Sequence, residues 1–401
     1  MTKIEGERAS IGIHTDKLLA YLEDTNVFAF LDNWGPSKVI HVYEPESGMQ
    51  GILIIDNTTQ GPGWGGVRFE KVIKPREVFN RARSNTLACA LAGVRLGGAA
   101  AGIRLLEGGE IDKNQLVRAF ARGVSPCVPD CYVAAPDINT GQAEMRVFAE
   151  EVGDRRGATG KPVEMGGIPY ELGVMGLGAG VALESFLQLS GEGNNLPGSL
   201  EGATVALQGF ECVGAAVARY CVNKGAKIVA LSDDWGAIYD PTGIDLGKAL
   251  KFSCATSERQ SLAQYKVGHR TSQEEILKIE CDALVLCGGR GMVTEEIAHM
   301  IQAKCIVEGP GAPLTPIAEM VLTRRGVPVL PDILTLSAAA IASYSELERK
   351  SCEEAFSLIG ARIKSAVKEI VESSKEPGVP FRRVAKELAR ERILRAMEGG
   401  K

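Results

Sequence analysis

The chain has few of the residues that build metal sites, disulfide frameworks or nucleic-acid surfaces. It holds four histidines in 401 residues (His14, His41, His269 and His299), and none is close to a cysteine in sequence. The ten cysteines (Cys89, Cys127, Cys131, Cys212, Cys221, Cys254, Cys281, Cys287, Cys305 and Cys352) are scattered, with no CxxC pair. Without ligand spacing a zinc site, or any metal, is not expected. Thiols inside apolar runs read as free, buried groups of a reducing compartment. A net charge of −5 leaves no basic footprint, which excludes nucleic acid as an expected partner. No apolar run reads as long enough to span a bilayer. The opening Met1-Thr2-Lys3-Ile4-Glu5-Gly6-Glu7-Arg8 has neither the apolar core nor the cleavage pattern of a secretory signal. No membrane and a cytoplasmic address are the resulting expectations.

What is present is the composition of an ordinary globular protein, 45% hydrophobic and 24% charged, on a length that favours two domains. Residues near 15–30 read as a first helix. Strands are expected at Lys38–Tyr43 and Gly51–Asp56, joined by Glu44-Pro45-Glu46-Ser47-Gly48, where Pro fixes one dihedral and Gly frees another. A glycine-dense stretch, Gly61–Gly66, leads to a helix over Pro75–Ala92. A second glycine cluster, Gly93–Gly102, precedes a helix over Lys113–Gly123.

From Gly202 the pattern changes. Apolar strands at Thr204–Gln208, Lys227–Ser232, Ala283–Leu286, Cys305–Glu308 and Pro328–Pro331 alternate with helical stretches, which implies a parallel, doubly wound sheet. Ser345–Ser374 reads as one long amphipathic helix. After Pro377 a last helix, Phe381–Met397, is rich in Arg and Lys.

The strand Thr204–Gln208 runs into Gly209-Phe210-Glu211-Cys212-Val213-Gly214 and an Ala-rich helix. The next strand ends at Ser232-Asp233, about twenty residues on, as a dinucleotide-binding unit requires. In that motif the second glycine lets the backbone approach a pyrophosphate; here it is Glu211. A carboxylate about 4 Å from a phosphate costs on the order of 1–4 kcal/mol, or about one to three decades of affinity. Alternatively Glu211 turns outward and a weakened site survives. Asp233 either meets a ribose or simply orders the strand end.

Beyond these elements, collinear blocks span nearly the whole chain: GPGWGGVRF (61–69), NTLACALAGVRLGGAAAGI (85–103), VAAPDINTG (133–141), TGKPVEMGG (159–167), VALQGFECVG (205–214), LSDDWGAIYDPTGIDL (231–246), IVEGPGAPLTPIA (306–318) and PDILTLSAAAIASY (331–344). On these blocks the sequence resembles the glutamate/leucine/phenylalanine/valine dehydrogenases. The resemblance implies an α/β protein of two domains: a substrate and oligomerisation domain over 1–172, to which 376–401 return, and a Rossmann-type domain over 173–375. It also implies a hexamer-type assembly, an NAD(P) cofactor and oxidative deamination of an L-amino acid.

That chemistry uses a lysine for the substrate carboxylate, a desolvated catalytic lysine and an aspartate. On the family pattern the first lysine follows a Met-Thr-x triplet; here Asn85-Thr86-Leu87 is followed by Ala88. The second follows Gly-Gly-x; here Gly97-Gly98-Ala99 is followed by Ala100. The aspartate survives as Asp137. Asparagines of the pattern are replaced by Gly311 and Leu336, and a threonine by Met175. Trp64 stands where glutamate-type members carry a lysine, which favours an apolar ligand or none. Ser343 matches a substrate-facing serine, and Arg95 and Arg104 flank the altered glycine cluster as possible replacement cations. The family reading thus places Trp64, Ala88 and Ser343 in the substrate pocket and Gly209, Glu211, Gly214, Ser232 and Asp233 at the cofactor.

Losing an acid–base group forfeits roughly 10²–10⁴ in rate, and losing a charge-assisted contact costs about 1.5–3 kcal/mol more. The leading expectation is therefore a catalytically inactive family member, a pseudoenzyme acting as regulatory or structural subunit, with a catalytic paralogue as partner. Two others stand beside it: an active dehydrogenase for an apolar amino acid with a rearranged site, and a sensor of an amino acid or oxo acid.

Overall fold

The computed structural model describes residues 30–105, 112–191, 195–253, 268–374 and 378–399, together with Asn26, Leu262 and Glu376. The helix expected near 15–30, apart from Asn26 and Phe30, lies outside the described residues, as do Cys254 and Pro377.

Two sheets organise the chain. The first has five strands in the order β1-β2-β4-β3-β5: β1 (Lys38–Glu44), β2 (Met49–Asn57), β3 (Gly63–Glu70), β4 (Gly97–Arg104) and β5 (Tyr132–Pro136). β1, β2 and β4 pair antiparallel, whereas β3 runs parallel to both β4 and β5. Most of each glycine cluster lies in a strand, Gly63–Gly66 in β3 and Gly97–Gly102 in β4, for a steric reason. Helix α1 (Pro75–Ala92) lies so close over β4 that a Cβ at Gly98 would sit 2.2 Å from the Thr86 nitrogen. α1 starts on Pro75, whose missing N–H costs nothing in a first turn, and ends on Gly93 at φ 64°. On the other face α2 (Lys113–Val124), capped by Asp112 accepting from Asn114 and Gln115 N–H, packs with α3 (Gln142–Val152) over a core of Val67, Phe69, Phe120, Tyr132 and Phe148.

The second sheet has seven strands in the order β12-β11-β10-β6-β7-β8-β9. β6 (Thr204–Gln208), β7 (Lys227–Ser232), β10 (Ala283–Leu286), β11 (Cys305–Glu308) and β12 (Val329–Leu330) are parallel; β8 (Ala237–Tyr239) and β9 (His269–Thr271) extend it antiparallel. The order reverses between β6 and β10, so the crevice outside their carboxyl ends is where such a sheet binds a ligand. Helices α4 (Val174–Ser190) and α5 (Cys212–Asn223) pack together, as do α6 (Leu246–Ser253) and α5; α7 (Gln273–Ile276), α8 (Glu295–Met300) and α9 (Pro316–Arg324) follow.

Two expectations change here. Tyr170–Ser190 is long and apolar enough to cross a membrane, with a mean hydropathy of 1.5, yet 61% of that stretch is buried inside the fold, as in a core helix. The long helix expected at Ser345–Ser374 is two helices, α10 (Asp332–Leu347) and α11 (Cys352–Ser373). Arg349 takes φ 58° between them, and Ser351 with Glu354 forms a capping box that starts α11 afresh. The last helix, α12 (Phe381–Gly399), packs on α1, α11 and β12.

Candidate functional site

The face of the first sheet beneath α1 gathers most of the residues singled out in its sequence. β3 presents Trp64, Gly66 and Arg68 on one side by strand alternation. The β3–β4 register (Trp64↔Gly98, Val67↔Ala101) sets Ala100 beside Gly66. A Cβ at Gly66 would lie 2.5 Å from the Asp137 Cβ, which places Asp137 on the same side.

No charge stands at the two lysine positions. Ala88 is 0% exposed in the core shared by both domains, and its carbonyl accepts from Ser337 Oγ of α10 at 3.0 Å. Ala100 is 1% exposed in a separate apolar cluster with Ile52, Ile54, Val78, Phe79 and Ala82. Trp64 shares the core of Ala88 and is buried. The structure therefore joins Trp64 to Ala88 but sets Ala100 in a different packing unit.

Asp137 is held by several hydrogen bonds. Arg68 Nε and Nη2 each donate to its carboxylate at 2.9 Å, and the Ile138 N–H adds a bond of 2.8 Å. Arg68 also donates to Glu70, which accepts from Arg81 at 3.2 Å, so two guanidinium groups and two carboxylates form one chain. Burial opposes the charge of Arg68, but Asp137 and Glu70 outweigh it and hold its pKa above the ordinary arginine range. For Arg81 burial and the neighbouring Arg68 prevail, and its pKa is lowered. A bidentate pair of this kind is the strong form of a charge-assisted bond.

Ser343 is buried on α10 and bonded to Thr159 Oγ1 and to the Tyr170 hydroxyl, both at 2.9 Å. Burial pushes the Tyr170 hydroxyl above its ordinary pKa, the hydrogen bond to Ser343 notwithstanding. Next to this chain Lys161 donates to Glu346, whose other oxygen accepts from Gly160 and Ile168 N–H at 2.8 Å. Ser343 thus serves a structural polar network between the first sheet and α10. Arg95 is largely exposed and reaches Tyr344 and Glu348, while Arg104 bonds Gln50 at 3.0 Å; neither supplies a replacement cation.

Sequence reasoning missed Arg68, Arg81, Tyr170 and the Lys161–Glu346 pair. Arg68 was findable: it lies two residues beyond Gly66 within the GPGWGGVRF block, on the strand face that carries Trp64. The other three depend on which helix lies over which strand.

At the crevice the glycine turn keeps its shape. Gly209 takes φ 87° and donates to the Ser232 carbonyl, and a Cβ at Gly214 would lie 2.0 Å from the Gly209 oxygen, so strand and helix meet as closely as in a nucleotide cradle. Glu211 is the N-cap of α5 at φ −112°, ψ −155°, a backbone any residue adopts, and its side chain is exposed at the helix mouth. The Asp233 carboxylate accepts from Trp235 and Gly236 N–H at 2.9 Å and from Leu262 N–H at 2.6 Å. The first two bonds order the β7–β8 turn, and the third ties the carboxylate to Leu262. Ser232 is fully buried, its hydroxyl turned inward without a hydrogen-bond partner among the described residues. Gly311 sits at φ 107°, so the loop after β11 has taken a backbone that favours glycine over the asparagine of the family pattern. Leu336 and Met175 pack against the apolar core. The backbone cradle fits a dinucleotide, and Glu211 sets an exposed carboxylate at its mouth. Among the described residues no group of three or more His, Cys, Asp or Glu is arranged to hold a metal ion.

Comparison with known proteins agrees with this architecture. The glutamate/leucine/phenylalanine/valine dehydrogenase family matches residues 166–400, and the dimerisation domain of the same family matches residues 36–154. A glutamate dehydrogenase of Aeropyrum pernix is 35% identical over 367 residues, covering 85% of this chain and 84% of that protein. An NADP-specific glutamate dehydrogenase of Saccharolobus shibatae is 33% identical over 390 residues, covering 90% and 89%. Among solved structures, the hetero-hexameric glutamate dehydrogenase of Thermus thermophilus in its Leu-bound form superposes with a TM-score of 0.79 at 28% identity, covering 95% of each chain.

Proposed function

Because this chain belongs to the glutamate/leucine/phenylalanine/valine dehydrogenase family, we propose that it is a non-catalytic subunit that assembles with a lysine-complete paralogue. The observation that carries the reading is the state of three positions. Ala88 and Ala100 are methyl groups sealed in apolar packing, and Asp137 is tied to Arg68 through both oxygens. A deamination site needs an ammonium at the substrate carboxylate and another at the reacting carbon. The described residues around these positions supply neither.

The framework argues that assembly outlives chemistry. The first sheet, its helices and the nucleotide-domain core are intact and well packed. Residues 376–401 belong, in this reading, with the substrate and oligomerisation domain over 1–172, and Arg392 supports it by donating to the Ala90 carbonyl of α1 at 3.1 Å. The Thermus thermophilus relative is a hetero-hexamer, so unlike chains of this fold do assemble together. NAD(P) binding is expected to be weak, and no step of the present reading runs through it.

The test has two arms. The purified chain, assayed for NAD(P)-coupled oxidation across the amino acids, should show no turnover above background; robust turnover ends the reading. Co-expressed with a lysine-complete family member from the same source, it should co-purify in a stoichiometric complex whose kinetics differ from the catalytic subunit alone. Failure to co-assemble would remove the subunit role.

A further inference from the structure

Helix α12 is fastened at two points to different parts of the molecule. Near its middle Arg392 donates to the Ala90 carbonyl of α1 at 3.1 Å and Arg390 lies over the Trp34 ring at 5.3 Å. Ten residues earlier, about 15 Å along the helix axis, Arg382 enters the nucleotide domain. There it meets three carboxylates: Glu308 at the end of β11, Glu319 on α9 at 3.0 Å and Asp332 at the start of α10 at 2.5 Å. Glu308 is fully buried, Glu319 and Asp332 nearly so.

One guanidinium cannot neutralise three buried carboxylates. Backbone N–H groups contribute: Leu314 and Asp332 donate to Glu308 at 3.3 Å, and Ala312 donates to the other oxygen of Asp332 at 3.1 Å. Asp332 and Glu319 face Glu308 from α10 and α9, and Arg382 faces it from α12; no other charged group contributes among the largest influences on it. We propose that Arg382 and these three carboxylates form a proton-released clamp through which the C-terminal helix holds the nucleotide domain against the first domain. The clamp is closed while one carboxyl carries a proton and opens when that proton is lost.

Glu308 is the group that holds the proton. Burial, reinforced by Asp332 and Glu319, outweighs the pull of Arg382 and lifts its pKa to about 8. In an opened, hydrated cluster the same carboxyl returns toward its ordinary range near 4.5. Opening is therefore disfavoured at low pH and grows as the pH climbs between those two values, levelling off above the higher one. Arg382 and Glu319 line a surface depression of about 390 Å³, which gives protons and water a short path to the cluster. The loop that follows Glu308 borders the crevice, so release would loosen one wall of it as well as the helix. This device would work whether or not the chain turns over an amino acid.

Hydrogen exchange on the full-length protein tests the clamp. After correction for the intrinsic rate, opening of segments 381–388 and 308–314 should increase more than tenfold between pH 6 and pH 8, while the central strand β6 keeps its protection. Glu308→Gln, which keeps the shape but cannot titrate, should abolish that increase. Glu319→Gln, a milder change that removes one repelling charge, should make the increase level off at lower pH. Exchange that follows only the intrinsic rate in the parent protein, or an undiminished increase in Glu308→Gln, would overturn the proposal.

Discussion

Arg68 and Asp137, 69 residues apart in sequence, lie side by side on the first sheet and share two hydrogen bonds of 2.9 Å. The Asp137 carboxylate is thereby half of a bidentate ion pair. A double-mutant cycle of Arg68→Met and Asp137→Asn, followed by urea denaturation, should give a coupling of about 1–3 kcal/mol. Coupling below about 0.3 kcal/mol would mean the pair is not formed in solution. Neither variant should acquire deaminase activity.

Restoring a lysine should not restore function. Ala100 packs with Ile54, Val78 and Ala82, and Asp137, the carboxylate on the same side of the sheet, is already paired with Arg68. Ala100→Lys is expected to cost on the order of 3–5 kcal/mol, the scale of an uncompensated buried charge, seen as a large drop in Tm. A stable Ala100→Lys protein with measurable turnover would show that the cleft is open after all.

Glu211 sets the expected weakness toward dinucleotides. Its side chain is exposed, so the repulsion of a phosphate is near the water-like end, about 1 kcal/mol at 4 Å. Glu211→Gly should accordingly tighten NADH by only about five- to tenfold in a fluorescence titration. No change on substitution would mean that Glu211 does not limit dinucleotide binding.

The Lys161–Glu346 pair ties the first domain to α10 with both side chains nearly sealed from water, at 4% and 2% exposure. Lys161→Met leaves Glu346 charged and buried with only the Gly160 and Ile168 N–H groups. A loss of about 3–5 kcal/mol in chemical denaturation is expected. The Lys161→Met/Glu346→Leu pair should recover most of it, since a packed apolar pair replaces the ions.

Thiol chemistry gives a simple check of the packing. Cys212 is exposed at the start of α5, whereas burial pushes Cys221 and Cys281 up to about 12. A thiol reagent on the native protein at pH 7.5 should modify Cys212 readily and spare these two until the protein unfolds.

The parallel strands of the nucleotide domain were legible because each is a short apolar run between turn signals; β6, β7, β10 and β11 fall where that pattern puts them. β3 and β4 were not legible as strands, because Gly-Gly-Val and Gly-Gly-Ala runs carry no alternation. Their glycines are there for close approach: a Cβ at Gly65 would lie 1.7 Å from the Ala99 oxygen. The break between α10 and α11 had a local signal, the Ser351–Glu354 capping box, that the continuous periodicity concealed. In the proposed site, Trp64, Ala88, Ala100 and Asp137 were singled out from collinear blocks. The partners of Asp137 and Ser343 were not, because pairing depends on strand order and on which helix covers the sheet.

The sequence by itself determined that residues 88 and 100 carry methyl groups, and no packing can give alanine an ammonium. Only the tertiary structure decided the fate of what remained. Strand order brought Arg68 onto Asp137, α10 carried Ser343 into a buried polar chain, and α12 delivered Arg382 to three carboxylates. Side-chain identity is fixed when the chain is made, whereas ionisation and pairing depend on neighbours that only folding brings within a few ångströms.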